Sequence, residues 1–366
     1  MRSLLVLSAS FLFAFHSFAQ LPVPRVPVYE VFSSSTCPPC RPANEHMTPI
    51  FKEYVGELAI VKYQMSWPGA GDPYYTQEGN TRRSAYGVSS VPALYRNSNA
   101  TNPTNLSANM IDNDLEDMVY MDIQLRYMID TIEQSIRVRA RIEAIDDFTD
   151  GGHRVMIPIV EYLTTKNKES NGENEFHNVF KKMLPESNGE LIIGEIEAGE
   201  VLEYDHTYTF QGNYRLPNNA QDPINHNIEH SVEEFNDLHA VMFVQSLVDK
   251  EIYQGAVGVR EYTEANMDRE WGEERIFPTS VREFNEGKGF ALYPNPGATT
   301  VHMRTSSGDA IHDFEVIDIH GRVVYRSNGE GESEARFDVR DFTDGIYTVR
   351  AESNAGVFQK RLVVRH

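Results

Sequence analysis

The sequence is poor in cysteine, in tryptophan and in positive charge. Two cysteines among 366 residues allow at most one internal disulfide, so a disulfide-stapled scaffold is excluded. Lysine and arginine number 33 against 54 aspartates and glutamates, a formal charge of −21. That balance argues against a nucleic-acid partner, because phosphate binding needs a basic face. Past Gln20 no apolar run approaches the ~20 residues that cross a bilayer, so no transmembrane span is expected in the mature chain. The rest is ordinary: 40% hydrophobic and 24% charged residues make a globular composition. A chain of 366 residues outgrows one hydrophobic core, and two or three domains are expected.

The acidity is local. Residues 20–110 carry seven Lys/Arg against six Asp/Glu, residues 111–289 carry 16 against 37, and residues 290–366 carry nine against 11. Near-neutral flanks around an acidic middle suggest three modules. Ahead of them, residues 1–19 read as a secretory signal peptide. Arg2 is its positive start, Leu4 to Phe15 its apolar stretch and Ser17-Phe18-Ala19 a small-x-small cleavage site. The first cysteine after it is Cys37, which rules out a lipoprotein anchor.

The first module, residues 20–120, is centred on Cys37-Pro38-Pro39-Cys40. Val28 to Phe32 reads as a strand, Ser33 to Thr36 as loop and cap chemistry, and Met47, Ile50, Phe51 and Tyr54 as one face of a following helix. Leu58 to Met65 reads as the next strand, and Val91-Pro92 opens another. A cysteine at a helix start gains a lowered pKa from unpaired N–H groups and the helix dipole. A second cysteine one turn on is placed to resolve a mixed disulfide. A structural zinc half-site is discounted, since no second Cys/His pair has ligand spacing, while an inert structural disulfide and a binding scaffold without turnover remain open alternatives.

This order resembles the thioredoxin-like superfamily over residues 26–120. The resemblance implies Cys37 as attacking thiol, Cys40 as resolving thiol and Pro92 as a cis-proline wall that receives an extended substrate. Two departures stand out. Thr36 occupies the usual place of a tryptophan, and Val31 stands where many members carry a buried acid. Glu30 is one place off and should face the other side of its strand.

The second module, residues 121–262, alternates apolar and polar residues with period two. Ile136, Val138, Ala140 and Ile142 interleave with Arg137, Arg139, Arg141 and Glu143. Further strands over Arg154–Leu163, Tyr204–Phe210, Ala240–Leu247 and Glu251–Val259 predict an antiparallel β-sandwich. Pro158 implies an edge strand or a bulge. Phe176 to Phe180, Met183-Leu184-Pro185, Asn188-Gly189 and Val241 to Gln245 resemble the 28-kilodalton outer-membrane-protein-related family, which joins a thioredoxin-like domain to such a sandwich. That likeness spans residues 28–262 and implies no firm chemistry.

No metal or cofactor is expected. His226, His230 and His239 lack the zincin glutamate, and Asp146, Asp147 and Asp150 miss the alternating calcium-loop spacing.

Residues 263–289 read as a charged linker with Trp271 and Phe277 as its few apolar anchors. In residues 290–366, Tyr293-Pro294-Asn295-Pro296, Gly321-Arg322-Val323-Val324, Asp344-Gly345-Ile346-Tyr347 and Lys360-Arg361-Leu362-Val363-Val364 stand in order. This resembles the type A C-terminal sorting domain of type IX secretion. It implies the secretion machinery as a partner and a destination outside the cell or on the outer-membrane surface. The expected fold is multidomain, α/β plus all-β: a thioredoxin-like domain, an antiparallel β-sandwich and a small C-terminal β-sandwich. The expected function is an exported thiol–disulfide oxidoreductase with protein disulfide or thiol substrates. The alternative is a non-catalytic surface protein with a fixed Cys37–Cys40 disulfide.

Overall fold

The computed structural model describes residues 22–149, 151–271, 290–294, 297–305, 310–318, 322–328, 332–353 and 356–365. The expected signal peptide (residues 1–19), Phe277 and most of the expected linker, Asp150, Asn295-Pro296, and Gly321 of the Gly-Arg-Val-Val turn lie outside the described residues.

Strand β1 (Val28–Ser33) is buried on both faces, as its near-continuous apolar run requires. It pairs in parallel with β2 (Ala59–Gln64), Val28 opposite Ala59 and Ser33 opposite Gln64. Parallel neighbours need a crossover, and α1 (Cys40–Lys52) supplies it, burying Ala43, Met47 and Phe51. After β2 comes α2 (Gln77–Tyr86), whose Thr76 cap accepts from the Gly79 N–H and which ends at the left-handed Gly87. Strands β3 (Ala93–Arg96) and β4 (Asn99–Thr101) follow as a hairpin with β3 antiparallel to β1, and then α3 (Ala108–Glu116).

The middle of the chain supplies β5 (Met121–Asp130), β6 (Ser135–Ala144), β7 (Gly152–Thr164), β8 (Phe176–Leu184), β9 (Glu190–Ile193), β10 (Val201–Thr209), β11 (Leu238–Ser246), β12 (Ile252–Val257) and β13 (Val259–Glu261). Strands β10, β6, β5 and β13 form a four-stranded sheet, antiparallel except that β13 runs parallel to β5. Its inner residues Ile136, Val138, Ala140 and Ile142 pack on Val155, Ile157, Ala240 and Met242.

The other sandwich strands do not form a sheet of their own. Their order is β12-β11-β7-β8, and β8 then pairs in parallel with β2, Val179 opposite Lys62. Nine strands from both modules thus share one sheet. Pro158 is not on an edge, since β7 is flanked by β11 and by β8 and β9. Proline is tolerated there opposite Met183, beside a bulge between Phe180 and Lys182 of β8.

Register shows which layers share a face. Lys62 lies opposite Val179, and Val179 lies opposite Glu161. Lys62 points to the α1 side with Ile60, and Glu161 points with Ile159 to the four-stranded sheet. Helix α1 and the four-stranded sheet therefore sit side by side on one face of the large sheet. The opposite face packs Val28, Phe32, Val61, Phe180 and Phe243 with Tyr86 and Val88. The sheet also curls back on itself: Gln254 of β12 accepts from the Val26 N–H at 2.8 Å and donates to the Pro24 carbonyl at 3.0 Å.

The first part of the expected linker is docked. Helix α4 (Glu264–Met267) buries Met267, whose carbonyl accepts from Arg139 at 2.6 Å. Trp271 lies 4.2 Å from the guanidinium of the buried Arg126.

The last module is a separate pair of sheets. Three strands, β14 (Phe290–Tyr293), β15 (Thr300–Thr305) and β18 (Glu334–Asp338), face four, β16 (Ile311–Asp318), β17 (Val323–Asn328), β19 (Gly345–Ser353) and β20 (Gly356–Val364). Val301, Phe314, Val316, Phe337, Val349 and Leu362 form its core.

Candidate functional site

The dithiol lies where β1 ends and α1 begins. Cys37 and Cys40 are joined as a disulfide, with Cα atoms 5.3 Å apart. The Cys40 N–H donates to the Cys37 carbonyl and the Cys37 N–H to the Ser34 carbonyl, so the motif is a tight turn leading into the helix. Cys40 is the first helical residue and Pro39 its cap, with no side chain bonding to the helix N–H groups. The expected capping role of Ser33 to Thr36 does not occur. Their hydroxyls turn elsewhere: Ser34 Oγ and Thr36 Oγ1 are 2.8 Å apart, and Thr36 Oγ1 donates to the Pro68 carbonyl at 2.6 Å.

Pro92 is brought to the motif by the pairing of β3 with β1, which sets Ala93 opposite Phe32. The Val91–Pro92 peptide is cis, and the Val91 carbonyl oxygen is 3.5 Å from Cys37 Sγ. A disulfide sulfur carries no proton, so this is a contact rather than a hydrogen bond. Pro38 and Pro39 are exposed and Val91 and Pro92 half-buried, but Cys37 is 1% exposed and Cys40 0%.

The sequence reading missed a second cis peptide at the same place, Trp67–Pro68, reached through Thr36. Trp67 is stacked under the Arg83 guanidinium at 5.2 Å. A tryptophan is therefore present beside the motif, although it comes from the loop after β2 and not from position 36.

Against the loop that leads into the dithiol lies a buried polar group that no motif announced. Asp72 accepts from the Ser35 N–H at 2.9 Å, the Tyr74 N–H at 2.8 Å and Asn167. Burial nonetheless pushes its carboxyl up to about 6, because desolvation outweighs those bonds. Lys62 is pulled down to about 8 by burial, opposed by Glu173 and Asp72. Asn44 of α1 donates to Ser33 Oγ at 3.0 Å and to Glu173 Oε1 at 2.7 Å. Val31 leaves the α1 face of β1 without an acid, and Glu30 indeed faces the α2 side, paired with Arg82.

Among the described residues no group of histidines, cysteines and acids is placed to hold a metal. The three histidines weighed as ligands have different immediate partners. His226 faces Glu78, His230 accepts from the Val232 N–H, and His239 lies near Tyr162.

Comparison with known proteins bears on the last module. Residues 291–365 match the family of the secretion system C-terminal sorting domain. The chain is thus exported by the type IX route to the outer membrane or cell surface, and its last module engages that secretion machinery. No curated protein matches the chain. Among solved structures it is similar to HBP35 of Porphyromonas gingivalis, 13% identical over 94% of this chain and 100% of that one, with a TM-score of 0.47. A protein from Agrobacterium tumefaciens is 13% identical over 64% of this chain and 94% of its own, with a TM-score of 0.41. A domain of the outer membrane lipoprotein Omp28 from Porphyromonas gingivalis is 15% identical over 40% and 93%, with a TM-score of 0.24. At TM-scores below 0.5 none of the three fixes the fold of this chain. No described helix is long and apolar enough to cross a membrane.

Proposed function

We propose that this exported protein is a surface thiol–disulfide oxidoreductase whose redox module, residues 20–120, is thioredoxin-like. The observation that carries the reading is the 3.5 Å approach of Cys37 Sγ to the Val91 carbonyl, on the cis peptide before Pro92. A disulfide at the start of a helix, facing a half-buried proline edge, is arranged to meet an extended peptide. Residues 121–262 would then be the acidic sandwich of the 28-kilodalton outer-membrane-protein-related family, followed by the 263–289 segment and the sorting domain over 290–366. Residues 1–19 would be the export signal that delivers the chain to the periplasm.

In the reducing direction the Cys37 thiolate attacks one sulfur of a substrate disulfide. A Cys37–substrate bond forms and the other substrate sulfur leaves as thiolate. Cys40 then gives up its proton and attacks Cys37 Sγ, forming the Cys37–Cys40 bond and releasing the second substrate thiolate. Two electrons pass to the substrate, and the two thiol protons end on its sulfurs by way of solvent. The oxidising direction is the reverse.

One observation favours a second reading. Cys37 is only 1% exposed in the disulfide form, as a fixed structural bridge in a binding protein would be. A protein-disulfide reduction assay with the mature chain separates the two. Turnover lost in Cys37→Ser supports the oxidoreductase; equal rates for variant and wild type sink it.

A further inference from the structure

We infer that residues 165–175, the loop between β7 and β8, position the dithiol, and that the Glu173 carboxylate they carry holds the Cys37–Cys40 pair in favour of the disulfide. The inference rests on the redox reading above and names what regulates that site. It makes the second module part of the redox centre.

The contacts are specific. The Asn171 N–H donates to the Ser35 carbonyl at 2.9 Å, and Asn171 Nδ2 donates to the Ser34 carbonyl at 3.2 Å. Ser34 O also accepts the Cys37 N–H at 3.0 Å, so Asn171 and the attacking cysteine share one acceptor. On the other flank, Asn167 bonds Asp72, and Asp72 holds the Ser35 N–H. Ser35 is thus held from both sides, at its carbonyl by Asn171 and at its N–H through Asp72, and Ser34 is held at its carbonyl. This is possible because α1 and the four-stranded sheet share a face, which brings the β7–β8 connection to the start of α1.

Glu173 is the charged member of this clamp. It is 8% exposed, and its oxygens accept from Asn44 Nδ2 at 2.7 Å and Asn171 Nδ2 at 2.6 Å. Asn44 follows Cys40 by four residues, so it lies on the same side of α1 one turn on. Gly172 keeps the loop close: its φ is +83°, and a Cβ there would come 2.7 Å from Arg41 Nη1. The groups facing Glu173 are Arg41 from α1 and Lys62 from β2. Asp72 and His177 in turn face Lys62.

A disulfide is uncharged, whereas the reduced pair becomes charged when Cys37 ionises to the thiolate. A buried carboxylate bonded to Asn44, which lies one turn from Cys40, disfavours that thiolate and so disfavours reduction, with Arg41 and Lys62 offsetting part of the effect. Glu173→Gln keeps the volume and an oxygen that can accept from Asn44, and removes the charge.

The test equilibrates the mature chain with glutathione buffers at several pH values. The Cys37–Cys40 disulfide takes two electrons and two protons from two glutathione thiols, giving the dithiol and glutathione disulfide. Alkylation and mass analysis read the reduced fraction. The expected result is that Glu173→Gln is reduced roughly three- to tenfold more readily, with its thiol titration moved to lower pH. Asn171→Ala should react several-fold faster with dithiothreitol because the side-chain bond to the Ser34 carbonyl is gone. An equilibrium for Glu173→Gln within twofold of wild type, with only its unfolding midpoint lowered, overturns the inference. A wild-type pair that equilibrates with glutathione but turns over no protein disulfide sinks the oxidoreductase reading and leaves this inference standing. A pair that glutathione reduces only on unfolding overturns both.

Discussion

Glu30 and Arg82 meet in a two-point ion pair, Nε to Oε1 at 2.6 Å and Nη2 to Oε2 at 2.7 Å, with both side chains at least 95% buried. Tyr63 and Tyr86 donate to the same carboxylate, and Arg82 Nη1 donates to Gln245 Oε1 at 2.6 Å. Gln245 belongs to β11, so the pair ties the first module to the second.

Removing the cation leaves Glu30 uncompensated in the interior. Arg82→Met is expected to cost about 3–5 kcal/mol of stability. The double variant Glu30→Gln/Arg82→Met should recover a large part of that loss, because no buried charge is then left unpaired. Urea unfolding followed by tryptophan fluorescence reads this directly, since of the chain's two tryptophans Trp67 lies in the first module and Trp271 is docked on Arg126 of the second. A single-variant loss below 1 kcal/mol would contradict it.

Asp72 makes stability fall as pH rises. Its carboxyl is raised from 3.8 to about 6 in the folded chain, mainly by burial. Between those values the folded state holds more protons than the unfolded one, so this group's contribution declines through pH 4–6. A shift of this size corresponds to roughly 3 kcal/mol. Asp72→Asn should therefore gain on wild type by up to that amount between pH 4 and pH 7. Denaturant curves at the two pH values check it, and a constant difference would refute it.

His177 acts in the opposite sense. Burial, then Lys52 and Lys62, pull it from 6.5 down to about 4. Below 6.5 the unfolded chain takes up its proton first, so the stability this group confers is full above that value and is lost as pH falls towards 4. The loss is again of the order of 3 kcal/mol. His177→Phe, which can still pack on Tyr162, should flatten the acid limb of the stability curve over pH 4–6.5. An unchanged acid limb would exclude this role.

Gly255 marks the closure of the large sheet. A Cβ there would sit 2.4 Å from the Val26 carbonyl oxygen and 2.7 Å from Val28 Cγ2. Backbone cannot yield as a flexible side chain does, so Gly255→Ala is expected to cost about 1–3 kcal/mol. Thermal unfolding measures it. A neutral result would mean that residues 24–28 are free to move away from β12.

Much of this fold was legible. The alternation of Ile136, Val138, Ala140 and Ile142 placed a half-buried strand, and the structure buries all four. The spacing of Met47, Ile50, Phe51 and Tyr54 placed a helix face: in α1 Met47 and Phe51 are buried and Ile50 half-buried, while Tyr54 is buried just past the helix end. Pro158 signalled an edge or a bulge, and the second holds: the ladder bond a proline lacks is absorbed inside the sheet beside the bulge between Phe180 and Lys182 of the neighbouring strand. The segment after residue 262 looked like a linker because its charges carry no period. Met267 and Trp271 dock through partners on strands far earlier in the chain.

Local chemistry is what the sequence by itself determined: the Cys-Pro-Pro-Cys turn between strand and helix, the period-two strands and the ordered motifs of the sorting tail. Each is set by residues within a few positions of one another. Only the tertiary structure decided that both modules share one sheet, and that Glu173 reaches Asn44 across 129 residues of chain. The cause is register. The pairing of β8 with β2 rests on shape and burial summed over the whole sheet, which no short stretch of sequence encodes.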